Sequence, residues 1–338
     1  MRIEELINLI RNKKVKGLTC NSKNVVKGGI FIALKGDKYD GNLFVGEAIS
    51  KGARIIVYSS GGLKVKFPDV CLVKVKDARL AAACLASEFY GNPSKKLKVV
   101  AVTGTNGKTT VTYLIEAILK ETGKNCAVIG TVNYRFNNKI MPSLNTTPGP
   151  LELQFIMAEL VKNKVPFLVM EVSSHALDQE RIANINFHSA IFTNLTQDHL
   201  DYHKTMRKYF SAKLKLFKRL TPESYAVVNH DDSRYCSIKK ATAGKVLSYG
   251  IDPGSAVKAC NIEYNLKGTS LKIVFNNKKS LSINSPLIGR HNVYNILSAC
   301  VWAYNAGIGF KTICRAVNKF AVVPGRLERV NSGKGFFI

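Results

Sequence analysis

Lys108 and Thr109 are the first residues in this chain whose types and spacing define a chemistry. They close the run Lys98 to Thr112, KVVAVTGTNGKTTVT. An ammonium beside a hydroxyl, behind a glycine-bearing loop, is what a nucleoside triphosphate needs. The amine takes up charge on the β and γ phosphates, and the hydroxyl sits on magnesium. Four apolar residues, Val99 to Val102, precede the loop, and YLIEAILKE follows it. The stretch therefore reads as a buried strand, a phosphate-cradling loop from Gly104 through Thr105, Asn106 and Gly107, and the first turn of a helix at Lys108, Thr109 and Thr110. Free N–H groups in that turn face an anion. The common phosphate-loop pattern places a glycine where Val102 stands, so the motif here is the variant T-G-T-N-G-K-T-T. A plain Gly/Asn/Thr turn is the competing reading, and the strand before it and the helix after it argue against that.

Other strand ends carry further candidates. Phe167-Leu-Val-Met-Glu171 ends an apolar run in a carboxylate, followed by Val172-Ser173-Ser-His175. Magnesium takes hard oxygen ligands and keeps several waters, so a carboxylate there suits a magnesium nucleotide; a helix-capping acid is the alternative. Ile191 to His203 includes Asp198-His199-x-Asp201-x-x-His203, a spacing that also suggests zinc. Six histidines in all, no nearby cysteine and a neighbouring phosphate loop favour magnesium. Tyr209 to Phe217, YFSAKLKLF, reads as an amphipathic helix with Lys213 as an ordinary surface lysine. Asn145-Thr146-Thr147-Pro148 precedes the helix-like LELQFIMAEL, where the two threonines are suited to capping. Asn292 and Asn295, in Leu287-Ile-Gly-Arg-His-Asn-Val-Tyr-Asn, open the last long helix, and asparagine there also suits a cap.

The elements that must position these residues fall into two segments, divided at Tyr90-Gly-Asn-Pro-Ser-Lys-Lys-Leu97. Upstream, strand-like runs at 30–34, 55–58 and 71–75 alternate with helical stretches at 43–51 and 79–90, which predicts a small α/β domain over residues 1–95. Downstream, strands at 98–102, 125–129, 167–171, 189–193 and 225–229 are separated by helix-like segments. That pattern predicts a mostly parallel, doubly wound sheet over 96–326, with ligands at the carboxyl ends of its strands. Residues 257–283 read as two or three antiparallel strands, a small extension of that domain. Residues 327–338, ending in NSGKGFFI, read as the start of a strand at the threshold of another domain.

Composition bounds the rest. The chain of 338 residues is long enough for two cores, and no window approaches the ~18 to 20 apolar residues of a membrane span. Glu4 and Glu5 interrupt the amino terminus before an apolar run develops, which argues against a signal peptide and for a cytoplasmic protein. The eight cysteines lie far apart with no C-x-x-C pair and read as reduced, mostly buried small hydrophobes. Net charge is +27, yet the lysines are scattered and no aromatic-studded basic stripe accompanies them, so a solvated basic surface is favoured over a nucleic-acid partner.

The T-G-T-N-G-K-T-T loop and the string EVSSHALDQERI resemble the Mur ligase family, and within it the UDP-N-acetylmuramoyl-tripeptide synthetases, which install the third residue of the peptidoglycan stem peptide. The similarity extends over nearly the whole chain in at least six ordered motifs. It implies an ATP- and magnesium-dependent ligase that joins a free amino acid, meso-diaminopimelate or L-lysine, to UDP-N-acetylmuramoyl-L-alanyl-D-glutamate through an acyl phosphate. By the same resemblance His199 is a magnesium-linked histidine, and Lys213, in A-K-x-x-L-F, is carbamylated by carbon dioxide into a carboxylate-like metal ligand. Asn145, Thr146, Thr147, Ser173, Gln179 and Arg181 match muramyl-dipeptide contacts, and Asn292, Asn295 and Arg326 match nucleotide contacts. Ser22, Lys38 and Tyr39 match the UDP-binding end, although the usual D-S-R stands here as Asn21-Ser22-Lys23 and the usual histidine after D-G is Asn42. A monomer is expected. The resemblance also implies a carboxy-terminal domain beyond residue 338, and a chain without it is expected to bind the dipeptide nucleotide and to ligate weakly. A folylpolyglutamate synthase or a non-catalytic UDP-muramyl-peptide-binding protein are the alternatives.

Overall fold

The computed structural model describes residues 2–36, 39–59, 69–137, 139–266, 268–276, 279–320 and 323–326. The Lys38 assignment and the segment 327–338 lie outside them. The chain forms two compact units. The first comprises Met1–Lys96, Pro148–Lys162 and Asp178–Ile185, and the second comprises Leu97–Thr147, Asn163–Leu177 and Asn186–Ile338. The expected 95/96 division therefore falls one residue before a unit boundary, and two later segments join the first unit.

In the first unit, β1 (Leu18–Thr19), β2 (Ile30–Ile32), β3 (Ile55–Tyr58) and β4 (Cys71–Lys74) form a four-stranded parallel sheet in sequence order. Leu6 and Ile10 from the helix Ile3–Arg11 and Ala81, Ala82 and Leu85 from the helix Ala78–Phe89 cover one face. Val45 and Ala48 cover the other. The stretch expected as one helix over 43–51 is a 3₁₀ turn, Gly41–Phe44, followed by the helix Val45–Ser50. The Asp40 carboxylate accepts from the Asn42 N–H and sets that earlier start.

In the second unit, β5 (Lys98–Thr103), β6 (Cys126–Ile129), β7 (Asn133–Phe136), β8 (Lys139–Pro142), β9 (Phe167–Glu171), β10 (Ser189–Phe192), β11 (Tyr225–Asn229), β12 (Lys245–Gly250), β13 (Val257–Asn265), β14 (Gly268–Phe275) and β15 (Lys279–Ser285) build one sheet in the order 15-14-13-12-11-10-5-9-6-7-8. The run from β13 through β12 to β6 is parallel, while β13–β14–β15 and β6–β7–β8 pair antiparallel. β9 and β10 are buried throughout and β5 everywhere except Lys98, as befits strands covered on both faces. Connections after β5 lead to β6 and β9 on one side, and those after β10 lead to β11 and β12 on the other. The carboxyl end of β5 thus lies where the winding reverses, the place where open α/β sheets take ligands.

The hairpin β7–β8 and strand β12 are additions to the expected set. In the hairpin, β7 is half-buried with only Tyr134 fully covered and β8 is mostly exposed, an edge that hydrophobic periodicity does not mark. The cysteines also differ from expectation. All eight are free, but only Cys126 and Cys300 are buried and Cys236 is exposed. Burial pushes the Cys126 thiol up to about 12, so it is unreactive at neutral pH. Among the described residues no helix is long and apolar enough to cross a membrane.

The helix Lys108–Glu121 carries the phosphate-loop motif at its start and Glu116 further on. Glu116 accepts from Arg135 of β7, whose guanidinium lies 3.8 Å from the centre of the Tyr113 ring. The pair leaves Glu116 and Arg135 with side-chain exposures of 9% and 14%. Burial raises the Glu116 carboxyl pKa, but Arg135 and then Lys120 outweigh it and hold the group below its usual range. A carboxyl whose pKa is depressed on folding stabilises the fold above the unfolded value, near pH 4.3, and loses that contribution as pH falls through the folded value. Arg135→Met leaves Glu116 with Lys120 at 2.9 Å and is expected to cost about 1–3 kcal/mol at pH 7. That loss should shrink below about pH 4, as urea denaturation followed by circular dichroism at both pH values will check.

Candidate active site

The loop after β5 is shaped by two glycines. Gly104 has φ +150° and Gly107 φ +88°, a region L side chains rarely adopt. A Cβ at Gly104 would lie 1.9 Å from Thr193 Oγ1, and one at Gly107 would lie 2.2 Å from Asn295 Oδ1. The loop is therefore wedged between the end of β10 and the start of the helix Arg290–Asn305. Hydrogen bonds fasten it there. The Thr105 and Asn106 N–H groups donate to the Asn194 carbonyl and side chain at 2.9 and 3.0 Å, and the Thr193 hydroxyl donates to the Asn106 carbonyl at 2.6 Å. Thr105 Oγ1 gives its proton to the Thr196 carbonyl at 3.1 Å and accepts from the Thr196 N–H at 3.0 Å. With that proton committed, Tyr209 is the donor in the 3.2 Å contact between the two hydroxyls.

Two lysines converge on this loop. Lys108 Nζ donates to the carbonyls of Gly104 at 3.0 Å and Thr105 at 2.6 Å. Lys213 Nζ donates to the same Gly104 carbonyl at 2.8 Å and lies 4.5 Å from the centre of the Tyr209 ring. Lys213 is 1% exposed, so the surface lysine of the helical pattern is in fact a core residue. It sits on the helix Met206–Lys218 beside buried Tyr209, Ala212, Leu216 and Phe217, and its turn of the helix faces the loop. Lys215, two residues on in the same helix, is half-buried, with Nζ 3.5 Å from the Leu177 carbonyl. Burial pulls the Lys108 pKa down, Glu171 and Asp198 pull it back, and Arg326 adds a further downward push. Lys213 falls well below the usual lysine range, by burial first and then by the Lys108 charge, with Asp198 opposing.

Glu171 is 1% exposed at the end of β9, in register with Val102 of β5. Its Oε1 accepts from the Thr131 N–H and its Oε2 from the Thr131 hydroxyl, both at 3.0 Å. A backbone N–H at the start of a helix is not its partner, so the capping reading fails. The Thr147 hydroxyl donates to the Glu171 carbonyl at 2.9 Å and accepts from the Ser173 N–H at 3.1 Å. Thr146 lies beside Thr131, hydroxyl to hydroxyl at 3.1 Å, and the Asn145 carbonyl accepts from the Tyr134 hydroxyl. Thr109 and Thr110 are buried in the first turn of their helix. His199 has φ +51° and its ring packs 5.0 Å from His175 and 5.9 Å from Tyr209. Asn292 and Asn295 are both 4% exposed. The Asn292 amide donates to the Ile288 carbonyl and its oxygen accepts from Asn295, each at 2.9 Å, so neither side chain serves as an N-cap. Arg326 donates its N–H to the Val323 carbonyl.

In the second unit, the loop, Glu171, Asp198, Lys213, Asn295 and Arg326 are thus linked by direct contact or by charge to Lys108. Among the described residues no three of His, Cys, Asp and Glu gather around a metal position. The Thr109 hydroxyl, in the first turn after the loop, and the Glu171 carboxylate, at the end of the strand beside β5, are hard oxygen donors of the kind magnesium takes. Of the remaining positions, Ser22 is buried in the first unit and donates to Glu47 at 2.6 Å, and Tyr39 is exposed. Gln179 accepts from the Arg181 guanidinium at 3.0 and 2.7 Å in the same unit. The sequence reading missed Thr131, Thr193, Asn194, Thr196 and Tyr209. Each lies just beyond a strand or on the Lys213 helix, and a polar residue directly after an apolar strand is the signal that marks the first four.

Two sequence profiles match the chain: "Mur ligase middle domain" over residues 102–303 and "Mur ligase family, catalytic domain" over residues 14–90. The chain belongs to the Mur ligase family. Among similar proteins, the UDP-N-acetylmuramoyl-L-alanyl-D-glutamate–2,6-diaminopimelate ligase of Geobacter sulfurreducens is 39% identical over 350 aligned residues, covering 99% of this chain and 68% of the relative. The ligase of that name from Geobacillus kaustophilus is 41% identical, covering 97% of this chain and 67% of the relative. A solved structure of a UDP-N-acetylmuramoyl-L-alanyl-D-glutamate–2,6-diaminopimelate ligase superposes with a TM-score of 0.82 at 29% identity, covering 94% of this chain and 65% of that one. A folylpolyglutamate synthase from Mycobacterium tuberculosis, complexed with ADP, shares the fold at 17% identity and a TM-score of 0.63, covering 75% of this chain and 64% of that one. This Mur ligase chain thus spans about two thirds of the length of its relatives.

Gly123 has φ +72° and open space around a Cβ, whereas Gly107 combines positive φ with the close Asn295 contact. Gly123→Ala should therefore cost about 1–2 kcal/mol of backbone strain. Gly107→Ala should cost about 1–3 kcal/mol more, for the overpacking against Asn295, and paired urea denaturation curves will measure the difference.

Proposed function

We propose that this chain carries the muramyl-dipeptide and nucleotide sites of a ligase that uses ATP to join a free amino acid, 2,6-diaminopimelate by the naming of its relatives, to UDP-N-acetylmuramoyl-L-alanyl-D-glutamate in peptidoglycan synthesis. The observation that carries the reading is the convergence of Lys108 and Lys213 on the Gly104 carbonyl at the winding reversal of the sheet, within a chain about 40% identical to ligases of that name. The half-buried Lys108 ammonium and the buried Lys213 amine at the start of a helix make a site for a polyanion, and a nucleoside triphosphate supplies one.

In the reaction so read, a carboxylate oxygen of the D-glutamyl residue attacks the γ-phosphorus of ATP, and ADP leaves. The amino nitrogen then attacks the acyl phosphate carbon, inorganic phosphate departs and the amine gives up a proton. Lys108 exchanges its loop carbonyls for phosphate oxygens and offsets charge developing at the transferred group. Asn292, Asn295 and Arg326 contact the nucleotide. Thr109, Glu171 and His199 would hold magnesium, which when bound neutralises phosphate charge. The Lys213 amine, pushed toward its neutral form, has the free electron pair that addition to carbon dioxide requires, and the carbamate would make it a further oxygen ligand. Asn145, Thr146, Thr147, Ser173, Gln179 and Arg181 serve the dipeptide end. Ser22, Lys38 and Tyr39 serve the uridine diphosphate end, where Asn21, Lys23 and Asn42 replace the family's usual residues. Localisation in the cytoplasm and a monomeric state go with this reading.

The test is calorimetric titration of the chain with UDP-N-acetylmuramoyl-L-alanyl-D-glutamate against UDP-N-acetylmuramic acid. The dipeptide form is expected to bind at least about tenfold more tightly, equivalent to about 1.4 kcal/mol. Equal affinities would remove the dipeptide assignment, and no binding of either would remove the sugar-nucleotide assignment as well. A nucleic-acid partner would show itself instead as salt-sensitive binding of random DNA that exceeds both.

A further inference from the structure

Thr131, directly after Gly130 at the end of β6, makes three polar contacts. Its N–H and hydroxyl each meet one oxygen of Glu171 at 3.0 Å, and the hydroxyl also lies 3.1 Å from Thr146 Oγ1. The direction of each bond follows from proton count. A carboxylate only accepts, so the single Thr131 hydroxyl proton goes to Glu171 Oε2, and Thr146 must then donate to Thr131 Oγ1. The bonds run one way, from Thr146 through Thr131 to Glu171. One residue thereby fixes both oxygens of a buried carboxylate. Gly130 leaves the room for this: a Cβ there would sit 2.3 Å from Glu171 Oε1. The arrangement also commits the Thr146 proton, so that toward a ligand Thr146 presents oxygen lone pairs and suits an N–H or O–H donor.

We propose that Thr131 is a positioning residue that aims the Glu171 carboxylate at a divalent cation and couples that cation site to Thr146 at the dipeptide end, so that cation and dipeptide nucleotide strengthen each other's binding. This rests on the reading of Glu171 as a metal ligand and Thr146 as a substrate contact. A ligand donor on Thr146 fixes the Thr146 and Thr131 hydroxyls in one orientation and so holds the Glu171 carboxylate in the geometry a cation needs, and a cation that holds Glu171 orders the same two hydroxyls from the other end, so each ligand spares the other part of the ordering cost.

The experiment measures Mn²⁺ affinity of the 338-residue chain in the presence of ADP, by electron paramagnetic resonance of free Mn²⁺, with and without UDP-N-acetylmuramoyl-L-alanyl-D-glutamate. Wild type should bind Mn²⁺ more tightly when the dipeptide nucleotide is present. Thr131→Val, which keeps the shape and the N–H but removes the hydroxyl, should lose about tenfold in Mn²⁺ affinity and lose the enhancement. Thr131→Ser should retain both. Thr131→Val removes one donor to buried Glu171, so a small drop in melting temperature is expected, and the Mn²⁺ titration is made well below it for both proteins. Gly130→Ala, which presses on the other carboxylate oxygen, is an independent second perturbation and should also weaken Mn²⁺. Glu171→Gln separates the two levels of the argument. If it leaves Mn²⁺ affinity unchanged, the metal-ligand reading of Glu171 falls. If it weakens Mn²⁺ while Thr131→Val keeps wild-type affinity or enhancement, or if wild type shows no enhancement, the Thr131 proposal is overturned on its own.

Discussion

Two ammonium groups share one carbonyl oxygen, that of Gly104, inside the protein. Burying one cation already opposes folding, and burying a second beside it adds repulsion. Each of the surrounding features reduces that opposition. Gly104 and Gly107 let the backbone turn its carbonyls inward toward the amines, Asp198 and Glu171 supply negative charge within reach, and the Tyr209 ring offers its electron-rich face to Lys213. The same arrangement makes the loop receptive to anions, since a phosphate would relieve what the carbonyls and carboxylates only partly offset.

Holding such a loop requires rigid surroundings. β5 enters it from the buried, parallel centre of the sheet, and the ends of β9 and β10 flank it on either side. Thr193, Asn194 and Thr196 beyond β10 hold its backbone, Thr147 and Thr131 hold Glu171 at the end of β9, and Asn295 closes it from the helix Arg290–Asn305. The ion pair between Arg135 and Glu116 ties the β7–β8 hairpin to the very helix whose first turn carries Lys108 and Thr109. The polar groups beyond β10 are therefore joined to the loop through short hydrogen bonds, several of them partly shielded from water, where a lower dielectric strengthens them.

Most of the central architecture was legible in the residue order. Apolar runs of four to six residues separated by helical periodicity marked the strands of the central sheet, and T-G-T-N-G-K-T-T marked the turn where ligands gather. The hairpin Asn133–Pro142 and strand Lys245–Gly250 were not legible, because their side chains are polar or only partly covered and so leave no alternation to read. Glu171 could be named from its place after an apolar run, but whether it capped a helix or faced a loop depended on which strand became its neighbour.

The sequence by itself determined that a glycine-bearing loop follows β5, that Lys108 and Thr109 sit in the first helical turn, and that an acid ends β9, because these are local facts of pattern and φ preference. Only the tertiary structure decided that Lys213 is a buried amine rather than a solvated one, that the Thr147 hydroxyl meets the Glu171 carbonyl, and that Thr131 holds both oxygens of that carboxylate. Burial, proton direction and like-charge repulsion arise between residues far apart in the chain, and a one-dimensional pattern holds no record of which of them meet.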